Sequence, residues 1–102
     1  MSKKSGPTAR DRRRRREKRE RQYALVCAEV DARDGPQCRA CRNWVGDAAH
    51  HHHIVYRSHR DAHTDTARNI IRLCARCHEL VHRHQLMVDG TTAETVTFAV
   101  AD

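Results

Sequence analysis

The sequence predicts a small α+β domain with a long basic N-terminal helix, a four-cysteine zinc site and a C-terminal β-hairpin. A chain of 102 residues is long enough for one domain but not for two. Hydrophobic residues make up 38% of the chain and aromatic residues only 4%, so the core is thin. Small domains of this kind usually need a metal or disulfides to stay folded. Two C-x-x-C pairs, C-R-A-C and C-A-R-C, offer the ligands for such a metal.

The predicted helix covers residues 8–33, which contain no Gly or Pro and are rich in Arg, Glu and Ala. Apolar residues recur at i, i+3, i+4 and i+7 near its C-terminal end, at Tyr23, Val26, Cys27 and Val30. Asp34-Gly35-Pro36 is a stop signal. At the other end of the chain, apolar runs at 86–88 and 95–100 flank a loop that begins with Asp89-Gly90, which is typical of a hairpin.

The positive charge is concentrated in an N-terminal arm, residues 1–21, which we separate from a domain at 22–102 with its core at 35–84. The arm has eleven Lys or Arg and three Asp or Glu. The remaining residues have nine Lys or Arg and ten Asp or Glu, which nearly balance. We expect the arm to be partly disordered or helical and to bind DNA phosphates, because guanidinium groups bind phosphate bidentately. The alternative is a solvated tail that only aids solubility. The predicted contacts are Arg12, Arg13, Arg14, Arg15 and Arg16.

The four paired cysteines, Cys38, Cys41, Cys74 and Cys77, predict a structural Zn²⁺ site of four thiolates. No apolar run approaches the ~20 residues of a membrane span, and no apolar stretch follows the basic N-terminus as it does in a signal peptide. We therefore expect a cytoplasmic protein in a reducing compartment, where disulfides are disfavoured. The alternative is that a cysteine pair functions as a redox-active dithiol. Cys27 is predicted to be a small buried hydrophobe.

Histidines are concentrated around the second cysteine pair. Thirty-two residues separate the two pairs, and six of the nine histidines lie between them. His78 and His82 follow at helical spacing, which places both imidazoles on one helix face. Neutral imidazole is a common ligand for divalent transition metals, so these residues predict a second metal site.

With these residues the chain resembles the HNH nuclease family. The resemblance rests on the run 52–58, on Asp65-Thr66-Ala67-Arg68-Asn69 and on the following residues through Cys77-His78 and His82. It extends upstream through 33–41 and covers over half of the chain. Asn69 comes sixteen residues after His53, His78 nine residues later and His82 four after that, as in the family pattern.

The resemblance implies a ββα-metal fold (the His-Me finger), in which a β-hairpin and a helix grip one divalent ion. It implies that His53 is the general base and that Asn69 pins the loop that carries it. His52, His78 and His82 would bind the catalytic ion, which would be Mg²⁺, Mn²⁺, Ni²⁺ or Zn²⁺. Arg57 would contact a phosphate of the DNA. The implied activity is hydrolysis of DNA phosphodiester bonds, by nicking or by double-strand cleavage.

Four consecutive histidines, His50 to His53, allow more than one alignment, and His53 is chosen because it precedes Ile54 as in the family pattern. Adjacent residues of a regular strand face apart, so we expect a bend or bulge that brings His52 and His53 to one site. The chain departs from the family at Tyr56, where proline is common, and at 59–62, where paired glycines are usual.

Two functional classes remain open at this point. The first is a metal-dependent endonuclease, typical of small bacteriophage and bacterial proteins, with DNA as its partner and no membrane contact. By family analogy it would work with other phage or host DNA-processing proteins in a bacterial cell. The second is a non-catalytic zinc-ribbon module that binds nucleic acid or a protein. A third possibility is a degenerate family member that binds DNA but does not cut it.

Overall fold

The computed structural model describes residues 6–56 and 64–101. This part of the chain has two helices and two small antiparallel hairpins, and thus the predicted α+β composition. In chain order the elements are α1 (Ala9–Asp34), β1 (His50–His53), β2 (Ile70–Leu73), α2 (Ala75–His82), β3 (Leu86–Asp89) and β4 (Thr97–Val100). Short 3₁₀ turns at Gly46–Ala48 and Ala67–Asn69 precede β1 and β2.

The long basic helix is confirmed. Thr8 and Asp11 form a capping box at its start, with each side chain accepting a hydrogen bond from the other's backbone N–H. The helix ends at Gly35, whose φ of 69° is readily adopted only without a Cβ. α1 has 26 residues, about 39 Å at 1.5 Å per residue. The helix runs without interruption through position 21, so the predicted arm and domain share one element.

The C-terminal end of α1 is the part that packs on the domain. Val30, the last residue of the predicted apolar stripe, is fully buried, and the other three members of the stripe are half-buried. Before Tyr23 every described residue of the helix is exposed. The charged half of α1 therefore projects from the domain, and the molecule measures 63 Å along its longest axis against 27 and 21 Å across.

The first hairpin and α2 form the centre of the domain. β1 pairs with β2 in antiparallel register, with His50 opposite Leu73 and His53 opposite Ile70. All four residues of β2 are buried, because α1 contacts this strand and α2 packs beside it. The hydrophobic core around them includes Cys38, Ile71, Leu73, Cys77, Val81 and Ala93. Two of these core residues, Cys38 and Cys77, belong to the C-x-x-C pairs, so both pairs lie against the core.

The second hairpin is also confirmed, although it is shorter than the apolar run suggested. β3 pairs with β4 from Leu86 opposite Val100 to Asp89 opposite Thr97. Gly90 has φ 109°, and a Cβ there would lie 3.0 Å from the carbonyl oxygen of Thr95. The turn after β3 thus requires glycine.

The carboxylate of Asp34 joins the end of α1 to the following turn and to β2. Asp34, whose side chain is 1% exposed, accepts from Arg33 Nε at 2.7 Å and from Arg39 Nη1 at 2.9 Å. The backbone N–H of Arg72 donates to the same carboxylate at 3.0 Å. Burial acts to raise the pKa of Asp34, but the hydrogen bonds from these three residues outweigh it and hold that pKa below its usual value.

Candidate functional site: two adjacent metal-binding clusters

The four predicted zinc ligands converge. Cys38 and Cys41 lie in the turn that follows α1, Cys74 is the N-cap residue of α2, and Cys77 lies in its first turn. One Sγ from each lies within 4.8 Å of all the others. The Cys41 and Cys74 sulfurs are 3.9 Å apart, close to the ~3.8 Å that a tetrahedral site with Zn–S bonds of about 2.3 Å requires. These four cysteines can bind a zinc ion.

The thiols of this cluster differ in how easily they ionise. Burial acts to raise the pKa of Cys38, but backbone hydrogen bonds, first from Cys41, outweigh it and lower the pKa to about 7. Burial raises the pKa of Cys77, with neighbouring thiols adding to the effect. One thiol therefore ionises easily while another resists, and a bound cation is what would allow all four to be thiolates.

A second cluster consists of the three predicted histidine ligands. His52, which is 3% exposed, comes from β1, and His78 and His82 come from α2. One ring nitrogen from each lies within 4.8 Å of the other two, and the Nε2 atoms of His78 and His82 are 3.1 Å apart. Metal–nitrogen bonds of about 2.1 Å at angles between octahedral and tetrahedral place two nitrogens ~2.9–3.4 Å apart. The three imidazoles are therefore compatible with binding one divalent ion.

The surroundings lower the pKa of two rings of this cluster, His52 and His78. Burial lowers the pKa of His52 to about 4, and the neighbouring His78, His82 and His53 add to the effect. Burial also lowers the pKa of His78, with His82 and His50 contributing. Only the neutral imidazole has a lone pair for a metal, so the environment favours the form that can coordinate.

Tyr56 and His50 complete the surroundings of the histidine cluster. The Tyr56 ring stacks on His82 with centroids 6.5 Å apart and planes at 12°, and it meets His52 edge-on. The Nδ1 atom of His50 lies 2.8 Å from Nδ1 of His78. The sequence analysis did not assign either residue to this site. His50 could have been identified because it lies two residues before His52 on one strand, and alternate residues of a strand share a face.

The predicted base, His53, lies on the other face of β1. The register of β1 with β2 is continuous from His50 to His53, so the expected bulge is absent from the strand and the predicted arrangement of His52 and His53 is corrected. Strand alternation points His52 toward α2 and His53 toward α1. His53 stacks on Tyr23, with centroids 5.9 Å apart and planes at 8°. Its Nε2 lies 2.8 Å from Asp65 Oδ1.

Asn69, which the resemblance implied would pin the loop carrying the base, is the last residue of the 3₁₀ turn before β2. Its side chain is buried and forms three hydrogen bonds. Oδ1 accepts from the Val55 N–H at 2.8 Å, and Nδ2 donates to the carbonyl oxygens of Val55 at 3.0 Å and Thr64 at 2.8 Å. One amide thereby joins Val55 to Thr64. Arg57 lies outside the described residues.

The basic face of α1 comes close to the His53 side of the hairpin. A cavity of about 350 Å³ is lined by Arg16, Arg19, Glu20, Tyr23 and Asp65. Two of its lining residues, Tyr23 and Asp65, contact His53. Of the five predicted DNA-binding arginines, Arg16 is the one that lines this cavity, and all five are exposed on α1.

Comparisons with known proteins do not identify a relative: no family model matches the chain, and no significant match was found among curated proteins or solved structures. Among the described residues, no helix combines the length and the apolar character needed to cross a membrane.

Proposed function

We propose that this protein is a metal-dependent DNA endonuclease of the HNH type. The observation that carries the proposal is the convergence of His52, His78 and His82, from a strand and a helix, on a site that fits one divalent ion. A bound ion would stabilise the negative charge that develops on the phosphate and on the leaving oxygen. The four-cysteine cluster would stiffen the start of α2, from which two of the three imidazoles project.

In this proposal His53 accepts the proton of the attacking water. Its Nε2 is directed to Asp65, and a carboxylate accepting from Nε2–H leaves the lone pair on Nδ1. Nδ1 is then the atom that takes the proton. His52 and His53 are the last two residues of β1, so a phosphate lying across the end of this strand would be reached from both of its faces.

Substrate binding is assigned to the basic half of α1. Its exposed guanidinium groups project from the domain, and Arg16 and Arg19 line the cavity beside Tyr23 and Asp65. A DNA backbone bound along the helix would therefore extend to the side of the hairpin on which His53 lies. In this proposal electrostatic attachment and chemistry would share one continuous surface.

The test is cleavage of supercoiled plasmid by the full chain with Mg²⁺, Mn²⁺ or Ni²⁺. We expect conversion to nicked or linear DNA that is lost in His53→Ala and in His78→Ala. The two variants separate the parts of the proposal, because His78→Ala should lose the ion at the histidine cluster whereas His53→Ala should retain it. Equal activity of the wild type and His53→Ala would refute the assignment of the base.

A second candidate function is a zinc-binding module that attaches to nucleic acid without cutting it. The observation that favours it is the position of His53, which contacts Asp65 and Tyr23 rather than the His52 cluster. This module would bind DNA through α1 with the same salt dependence, but plasmid would stay intact with every metal. The plasmid assay and a binding assay together therefore separate the two functions.

A further inference from the structure

His50 and His78 meet through like atoms, which restricts where their protons lie. The two Nδ1 atoms are 2.8 Å apart, which is hydrogen-bond distance. A neutral imidazole has one N–H and one lone pair, so exactly one of the two Nδ1 atoms carries the proton between them. There are thus two arrangements, and they differ in what remains at the other nitrogen of His78.

In the first arrangement His78 donates from Nδ1, and its Nε2 keeps a lone pair. That Nε2 is the atom that lies 3.1 Å from Nε2 of His82, on the side of the three-histidine cluster. In the second arrangement His50 donates, the proton of His78 is on Nε2, and that nitrogen cannot bind an ion. An ion in the cluster is compatible only with the first.

The geometry points to His50 as a positioning residue of the histidine metal site, one that accepts the Nδ1–H hydrogen bond of His78 and directs the Nε2 lone pair of His78 to the ion. Ligating histidines generally donate their other ring N–H to an acceptor, which sets both the tautomer and the ring orientation. Here the acceptor is a fourth imidazole, that of His50, rather than a carboxylate or a backbone carbonyl.

Strand geometry explains why His50 reaches this position. Alternate residues of β1 share a face, so His50 and His52 both point toward α2. Ring contacts agree, because His78 meets His50 with centroids 5.0 Å apart and His52 with centroids 5.2 Å apart. One strand face therefore provides a direct ligand and the partner that orients another ligand.

This inference rests on the metal-binding half of the proposed function and not on DNA cleavage. The test is a calorimetric titration of Ni²⁺ into the full chain, after one equivalent of Zn²⁺ has filled the cysteine cluster. In His50→Asn the amide Oδ1 replaces Nδ1 as an acceptor at the same distance from the backbone, whereas His50→Ala has no acceptor. His84→Asn is the matched control, because His84 is an exposed imidazole just beyond α2 with φ 58°, a conformation that Asn tolerates.

We expect His50→Ala to weaken Ni²⁺ binding about tenfold, the low end of the range for such partners because His50 is exposed. His50→Asn and His84→Asn should bind as the wild type does, and all four proteins should retain one zinc. Nitrogen-15 spectra of the chain with Zn²⁺ in both clusters should show a hydrogen-bonded Nδ1–H on His78 in the wild type, in His50→Asn and in His84→Asn, but not in His50→Ala.

Three results would overturn the inference. Unchanged Ni²⁺ affinity in His50→Ala would show that the contact does not orient the ligand. Loss of one nitrogen from the Ni²⁺ coordination shell in the X-ray absorption spectrum of His50→Ala would make His50 a ligand instead. Failure of the wild type to bind an ion beyond the zinc would remove the histidine metal site itself, and with it that half of the proposed function.

Discussion

His53 Nε2 lies 2.8 Å from Asp65 Oδ1, on the face of β1 opposite the three-histidine cluster. If Asp65 orients His53, the two side chains act as a unit. We expect His53→Ala to lower the rate of cleavage at saturating DNA about 10²–10⁴-fold, and Asp65→Asn to lower it by less. The double variant should be no slower than His53→Ala, because residues that act as a unit are not additive.

Affinity for the metal is the control for this pair, since neither residue is part of the histidine cluster. Both variants should bind Ni²⁺ as the wild type does. Additive losses in the double variant would show that Asp65 affects cleavage independently of His53.

Asn69 should be a stability residue as well as a part of the site. Asn69→Ala removes three hydrogen bonds from a buried amide, and we expect it to lower the free energy of unfolding by about 2–4 kcal/mol. Chemical denaturation measures this loss, and Gln85→Ala provides an exposed amide as the control. A variant as stable as the wild type would contradict the role of this amide.

The cysteine cluster should determine whether the domain folds. Cys74→Ser removes a ligand that is also the N-cap residue of α2, and structural zinc sites contribute roughly 10 kcal/mol or more of apparent binding free energy. We expect the variant, and the wild type treated with a strong chelator, to lose cooperative thermal unfolding. Cys27→Ala should retain both its zinc and its transition, because Cys27 lies outside the cluster. A cooperative transition in the zinc-free wild type would refute a structural role for the metal.

Asp34 should make stability depend on pH in the acid range. The folded-state pKa of Asp34 is below its usual value, so its contribution is fully present above that usual value, near 3.8, and is lost as the pH falls through the lower folded pKa. At neutral pH, Asp34→Asn should cost about 3–5 kcal/mol, because it leaves the guanidinium groups of Arg33 and Arg39 without their carboxylate.

The difference in unfolding free energy between wild type and Asp34→Asn should therefore be constant from pH 7 to about 5 and shrink below the usual carboxyl pKa. Comparing the two proteins at each pH removes effects common to both, including acid loss of metal. Asp47→Asn, at an exposed site, should show no such difference. If the difference in unfolding free energy between the two proteins grew as the pH fell, the pKa of Asp34 would be raised by folding and not lowered, which would contradict this prediction.

The basic half of α1 should determine the salt dependence of DNA binding. Replacing all five residues from Arg12 to Arg16 by Gln preserves helix propensity and removes five charges. The slope of log K against log salt should fall by about 0.9 for each DNA phosphate that the variant no longer neutralises. Fluorescence anisotropy with a short duplex measures the slope, and the corresponding Lys variant should retain most of it. An unchanged slope in the Gln variant would show that these arginines do not contact DNA phosphates.

Much of the fold could be predicted locally. The helix from residue 8 to 33, its termination at Gly35 and the two C-terminal strands follow from propensity, apolar spacing and turn residues, which act over short stretches of chain. The four-cysteine cluster was also predictable, because two C-x-x-C pairs in one short chain are typical of a single tetrahedral zinc site.

The arrangement of the histidines was not predictable to the same degree. Four identical residues in a row provide no pattern of their own to set strand register, and it is the buried β2 that selects it. The expected bulge is absent because His50 to His53 pair regularly with the four residues of β2. The partners of His53 come from α1 and from the segment before β2, and Asp65 is twelve positions away in sequence.

The sequence by itself determined which residues could bind metal and which segment could bind a polyanion, because these are properties of the side chains. Only the tertiary structure decided that His52 faces α2 while His53 faces α1, and that His50 meets His78. The physical reason is that packing β1 on β2, between two helices, assigns each side of a strand to a different neighbour.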